Sequence, residues 1–145
     1  LISMLSVGHR IPKKNILISS GPTRSKVELL NSTRMLIEKG YNIYSTAGTA
    51  KFFKENGIDT QILYWPDEDK EPNIMEYLHD RKIDLVINIP KNHTKRELDN
   101  GYRIRRAAVD YNIPLITNAR LASAFIYAIC KVDPTEIAIK SWDEY

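Results

Sequence analysis

The chain alternates short apolar runs with longer amphipathic ones, and that alternation points to an α/β fold with a parallel sheet covered by helices on both faces. The segments Asn15-Ile16-Leu17-Ile18-Ser19-Ser20 and Asp84-Leu85-Val86-Ile87-Asn88 are apolar at consecutive interior positions. A strand exposed on one face alternates instead, so both are expected to be buried on two sides. Residues 41–45, 60–64 and 114–117 complete five strands. Between them, 25–39 sets Leu29, Leu30, Thr33, Leu36 and Ile37 on one helical face and ends at Gly40, a natural C-cap. A short helix follows the Thr46 turn as far as Asn56, and another covers 74–81. Residues 103–111 turn Ile104, Ala107, Ala108 and Tyr111 inward, and Asn118 caps a last helix with Leu121, Phe125, Ala128 and Ile129 facing the core. The expectation is a single doubly wound domain with a five-stranded parallel sheet.

The ends differ from the middle. Residues 1–14 read as a connector from a preceding body and 132–145 as a trailing tail, which leaves 15–131 as the α/β domain. The first residue is Leu and not Met, so the chain is expected to be cut from a longer polypeptide. Residues 1–7 are apolar but too short and uncharged for a signal peptide. At 145 residues a core forms without staples. Cys130, the single cysteine, excludes an internal disulfide and a cysteine-rich zinc site. It reads as a buried structural thiol, which fits a reducing cytosol or an organelle matrix, and a cytoplasmic location is expected. The net charge of +3 is spread without a basic stripe, so no nucleic-acid partner is expected. No apolar run is long enough to span a bilayer, and no membrane partner is expected.

In sheets of this kind ligands sit outside the carboxyl ends of the strands, where strand order reverses. The first strand delivers Ser19 and Ser20 to that edge, with Lys26 early in the next helix. Thr46, Gly48 and Thr49 follow the second strand and Trp65 the third; Asn88, Lys91, Asn92 and His93 follow the fourth, Thr117 and Asn118 the fifth. The turn Thr46-Ala47-Gly48-Thr49 opens a helix, whose amides and positive end favour an anion by about 0.3–1 kcal/mol per charge. Its hydroxyls are each expected to donate one more hydrogen bond. Lys26 adds a charge-assisted contact, about 1.5–3 kcal/mol when desolvated. Taken alone, the turn is equally an ordinary threonine N-cap. The amide-rich stretch from Asn88, with Asn100, Arg105 and Arg106 behind it, suits a carboxylate, a ribose or a base edge. It also suits a plain turn before a solvated basic helix. Trp65 offers a wall for a ligand or an indole tucked on the surface.

Catalytic groupings are thin. His9, His79 and His93 show no metal-ligand spacing, and no metal site is expected. There is no nucleophile elbow, Walker loop or glycine-rich dinucleotide fingerprint. The carboxylates nearest the fourth strand, Asp99 and the more distant Asp110, have no partner for acid–base work. No residue is therefore assigned as catalytic, and an anion cradle without a poised acid or base suggests binding.

Three segments together carry a resemblance: Ser-Thr-Ala-Gly-Thr-Ala from Ser45, Asp-Leu-Val-Ile-Asn-Ile-Pro from Asp84, and Tyr-Arg-Ile-Arg-Arg-Ala-Ala-Val-Asp-Tyr-Asn-Ile-Pro-Leu-Ile-Thr-Asn from Tyr102. The chain resembles the methylglyoxal-synthase-like fold, and more closely the C-terminal allosteric domain of the carbamoyl phosphate synthetase large chain, from about residue 4 to 131. Residues 3–12 look like that family's connector. The resemblance implies strands in flavodoxin-type order. It further implies that Ser20, Lys26, Thr46, Gly48 and Thr49 hold the phosphate or carboxylate of an effector. Asn88, Lys91 and Asn100 then line the rest of the pocket, and Trp65 forms its aromatic wall. Trp65, Asn88 and Asn100 fit the branch activated by N-acetylglutamate, but Lys91 stands where that branch has an asparagine, and Lys26 fits the nucleotide-regulated bacterial pattern. Extra positive charge favours a nucleotide or phosphoribosyl pyrophosphate over N-acetylglutamate.

The implied parent is a ligase serving arginine and pyrimidine synthesis. It makes carbamoyl phosphate from bicarbonate and glutamine or ammonia, using ATP and Mg. The implied partners are the rest of the large chain and a glutaminase subunit, with no cofactor in this domain. Three alternatives stand beside this reading. Methylglyoxal synthase itself uses an aspartate after strand four and a His-Asp-Pro-Asp motif, where this chain has Asn88-Ile89-Pro90 and Leu98-Asp99-Asn100. The cyclohydrolase half of the purine-pathway enzyme shares the glycine-threonine turn but not the wider pattern. A plain interaction module with a vestigial pocket is the third.

Overall fold

The computed structural model describes residues 15–90 and 94–131. The expected connector and tail, and Lys91, lie outside the described residues. Strands and helices alternate as β1 (Asn15–Ser20), α1 (Thr23–Glu38), β2 (Asn42–Ser45), α2 (Ala47–Glu55), β3 (Gln61–Ile62), α3 (Ile74–His79), β4 (Leu85–Ile89), α4 (Lys95–Asp110), β5 (Leu115–Ile116) and α5 (Ala119–Lys131). All strand pairs are parallel.

The sheet order is β3-β2-β1-β4-β5, which corrects the flavodoxin-type order. That order would place β3 at the centre, against β1. Here β3 has two residues, both exposed, whereas all of β4 and all but the first residue of β1 are buried. A central strand needs cover on both faces, so β1 and β4 pair and β3 is left at the edge. The reversal of order consequently falls between β1 and β4.

Side-chain parity divides the core into two layers. Ile16, Ile18, Leu85, Ile87 and Ile89 pack with Leu29 and Leu36 of α1, Phe53 of α2, and Phe125, Ile126 and Ile129 of α5. Leu17 and Val86 point the other way, toward Ile74 and Leu78 of α3 and Ile104, Ala107 and Ala108 of α4. The predicted helical faces are shifted slightly: Ile37 and Leu121 are exposed, while Ala122 and Ile126 take buried places. Thr33 is buried at no net loss, because its hydroxyl donates to Leu29 O at 2.8 Å. Asn118 caps α5 as expected, accepting from Leu121 N at 2.9 Å. Gly40, at φ 93°, lets the chain leave α1 in a conformation that L side chains avoid. Burial pushes the Cys130 thiol up, more than neighbouring Lys39 draws it down, and favours the uncharged thiol. No described helix is long and apolar enough to cross a membrane.

The main departure is α4. It begins at Lys95, eight residues before the expected start at 103, with Leu98 N donating to Thr94 O at 3.0 Å. This earlier start moves Arg96 and Asn100 onto a helix whose first turns lie beside the end of β4.

Candidate functional site

The carboxyl ends of β1 and β4 run side by side, with Ser19 opposite Asn88 and Ser20 opposite Ile89. Gly21 N donates to Ile89 O at 2.9 Å and closes the pair. Past this edge is a cavity of about 260 Å³. Eight of the nine expected ligand residues line it: Ser20, Lys26, Thr46, Gly48, Thr49, Trp65, Asn88 and Asn100. The ninth, Lys91, is outside the described residues. Ser19 and Arg96 line it as well, whereas Arg105, Arg106, Thr117 and Asn118 do not. Among the described residues no aspartate, glutamate or histidine lines this cavity.

The Thr46–Thr49 turn is built differently from an ordinary cap. Thr46 is the N-cap of α2, yet its side chain makes no capping bond. Its hydroxyl lies 3.0 Å from that of Ser19 and 3.4 Å from that of Thr49. Thr49 in turn accepts from Ser20 N at 3.0 Å and donates to Ser20 O at 3.2 Å. The bonds form one chain of donors, Ser19 to Thr46 to Thr49 to the Ser20 carbonyl. Such chains polarise and strengthen one another. The threonine hydroxyls thus join β1 to α2, a role that the spacing alone did not suggest.

What remains open to a ligand is of two kinds. An α-helix leaves its first amides without internal partners. In α2 no side chain takes them up, and in α1 the N-cap is Pro22, which has no side-chain acceptor. Neither first turn carries an acidic residue. Two positive helix ends thus border one cavity. The second kind is orphaned polar atoms. Ser20 Oγ and Asn100 Oδ1 are buried, at 2% and 4% residue exposure, and have no hydrogen-bond partner among the described residues. A buried polar group left unpaired costs about 1–3 kcal/mol; Ser45, Thr60 and Ser123 have unpaired hydroxyls elsewhere, but these two atoms share one cavity.

Trp65 closes one side. Its loop is tied at the base: Tyr64 N donates to Pro72 O at 2.8 Å, and Ile74 N donates to Tyr64 O at 2.9 Å. Asn73 Nδ2 also donates to Trp65 O at 2.9 Å. From the same loop Asp67 receives two hydrogen bonds from Arg96, Nε at 2.6 Å and Nη2 at 3.2 Å. Glu68 lies 3.8 Å from Arg96 Nη2.

The hydrogen bond from Arg96, outweighing partial burial and aided by one from Asn100, holds the Asp67 carboxyl below the usual aspartate range. Because the folded value lies below the unfolded one, the ion pair contributes fully above the ordinary carboxylate range. It is lost as pH falls through the lowered folded value. Both side chains are substantially exposed, so the stability gain is small. A carboxyl-resolved NMR titration is expected to show Asp67 titrating below an unpaired aspartate, and Arg96→Gln to move it back up. An unchanged midpoint in the variant would mean the pair is not held in solution.

Residues 28–117 match the family model described as MGS-like domain. The chain is 42% identical over 149 residues to Multifunctional protein CAD of Squalus acanthias, covering 93% of this chain and 7% of that protein. It is 37% identical over 127 residues to the C-terminal section of the carbamoyl phosphate synthase large chain of Aquifex aeolicus, covering 88% of this chain and 23% of that section. The equivalent section from Methanocaldococcus jannaschii is 36% identical over 142 residues, covering 98% of this chain and 23% of that section. The chain thus spans less than a quarter of the length of each of these relatives. Among solved structures, methylglyoxal synthase from Elizabethkingia anophelis NUHP1 superposes with a TM-score of 0.57 at 17% identity, covering 80% of this chain and 79% of that one. That likeness is one of fold.

Proposed function

The chain belongs to the MGS-like domain family, and we propose that it is a non-catalytic, effector-binding regulatory module of a carbamoyl phosphate synthase large chain. The observation that carries this reading is the pair of buried, unpartnered atoms Ser20 Oγ and Asn100 Oδ1 in a cavity bordered by two uncapped helix ends. Amides and Lys26 suit a phosphate or carboxylate, while Asn100 Oδ1 accepts from a hydroxyl or N–H. The ligand is then a small anion with a hydrogen-bonding body. Lys26 and Arg96 together favour a nucleotide or phosphoribosyl pyrophosphate over N-acetylglutamate.

The similarity to the C-terminal part of the synthase, with no catalytic grouping among the described residues of the cavity, supports the regulatory reading. The relatives named as synthase large chain are matched in their C-terminal sections. The ATP- and Mg-dependent chemistry and the glutaminase contact are assigned to the rest of the parent, in the cytoplasm. The effector acts by preferring one conformation of the parent, a coupling typically worth about 1–3 kcal/mol. A lyase acting on dihydroxyacetone phosphate needs a carboxylate where Asn88 stands, and no observation favours it.

The test is a thermal-shift panel on the 145-residue chain with uridine and inosine monophosphates, uridine triphosphate, phosphoribosyl pyrophosphate and N-acetylglutamate. A true effector at about 100 times its Kd stabilises by about 2.7 kcal/mol. Lys26→Ala is expected to shrink that shift. Ser20→Ala is expected to shrink it while leaving the ligand-free melting temperature equal or higher, because it removes an orphaned hydroxyl. No shift with any member of the panel would sink the effector reading.

A further inference from the structure

Arg96 borders two hollows. One is the cavity already described; the other, of about 510 Å³, opens outward and is lined by Arg96 and Asn100 together with Lys95, Arg103, Asp67 and Asp99. The two spaces meet at Arg96 and Asn100. Both of these side chains hydrogen-bond Asp67, Arg96 through two nitrogens. A carboxylate from the chain's own loop therefore sits on the cationic rim of a cavity that has no lining carboxylate among the described residues. The inner cavity alone is smaller than the ~300–1,000 Å³ typical of a drug-sized ligand. A ligand that fills it reaches the rim with its far end.

We infer that Asp67 is a built-in competitor for Arg96, and that displacing it is how the cavity selects ligands carrying a second anionic group. This deepens the effector reading and rests on it. A ligand with one anionic group is held at the helix ends by Lys26 and leaves the Asp67–Arg96 pair closed. A ligand with a second phosphate or carboxylate offers Arg96 a bidentate partner of the same geometry as Asp67. The exchange conserves the number of charge-assisted hydrogen bonds at Arg96. It frees the Asp67 side chain, while the ties of the loop at Tyr64, Trp65 and Asn73 stay in place. Occupancy by doubly anionic ligands, and not by singly anionic ones, thereby changes the outer surface at Asp67.

Calorimetric titration of the 145-residue chain with inorganic pyrophosphate and orthophosphate tests this. Arg96→Gln is expected to weaken pyrophosphate about tenfold or more, and orthophosphate much less. Asp67→Asn, which removes the competitor but keeps the side-chain shape, is expected to tighten pyrophosphate severalfold. Neither side chain belongs to the buried core, so neither substitution empties it. An unchanged pyrophosphate-to-orthophosphate ratio in Arg96→Gln overturns the inference alone. So does weaker pyrophosphate binding in Asp67→Asn, which would make the pair a brace and not a competitor. Failure of both probes to bind the parent chain overturns the anion reading of the cavity and this inference with it.

Discussion

Replacing Asn88 by aspartate is expected to lower the affinity of the cavity for its anionic ligand by about a thousandfold. The two side chains have nearly the same shape, and Asn88 lies in the β1–β4 pair opposite Ser19 at the cavity, so packing changes little and a ligand-free melting curve reads the cost of the buried charge separately. What changes is one charge in a space that has no other lining carboxylate among the described residues. Two like unit charges about 4 Å apart, at an effective dielectric of about 20, repel by about 4 kcal/mol. Salt screens such a sheltered pair poorly. Titration calorimetry at neutral pH reads the loss directly. Part of the affinity is expected to return at acid pH, where the new carboxyl takes up a proton. A loss smaller than tenfold would place the ligand's anionic group away from β4.

Phe53→Ala is expected to cost about 3–5 kcal/mol of stability, the usual range for emptying a buried aromatic position. Phe53 is fully buried, and it joins α2 to the layer formed by β1, β4, α1 and α5. Its carbonyl also accepts from Asn56 N and Ile58 N, which fixes the exit of the helix. For a domain near this size each kcal/mol is worth roughly 2–4 °C, so the melting temperature is expected to fall by about 10 °C. Phe52, one residue earlier and half-buried, is expected to cost less. Urea denaturation followed by circular dichroism measures both. A Phe53→Ala loss under about 1 kcal/mol would show that the site relaxes around the gap. Because α2 also carries Gly48 and Thr49, the same variant tests whether core packing holds the anion-facing turn in place.

The strands most legible in the chain were β1 and β4, because burial on both faces leaves an unbroken apolar run. Their lateral order was not legible. A run of apolar residues announces a strand but not its neighbour, and β3, reduced to Gln61 and Ile62, carries almost no signal of its own. The same limit hid Arg96. Lys95 to Asn100 holds one apolar residue, Leu98, which is exposed, and Gly101 follows within the helix. With no apolar stripe there was no helical period to detect, and the basic pair Arg105 and Arg106 drew attention instead. The helix start became recognisable only through the Leu98-to-Thr94 hydrogen bond. The Thr46–Thr49 turn was legible as a helix start at the sheet edge, but the hydrogen bonds among its hydroxyls were not. Spacing alone does not tell a hydroxyl that welds two elements from one that waits for a ligand.

The tethered loop has an optical consequence. Trp65 sits half-buried against the cavity, on a segment tied at both ends, so its indole keeps one environment until something enters beside it. The sequence has one other tryptophan, at position 142. Changing that residue to phenylalanine would leave a chain whose ultraviolet emission comes from a single indole at the mouth of the cavity. Colour and quenching of that emission then report occupancy without a label, and stopped-flow mixing would follow the entry of a ligand in real time.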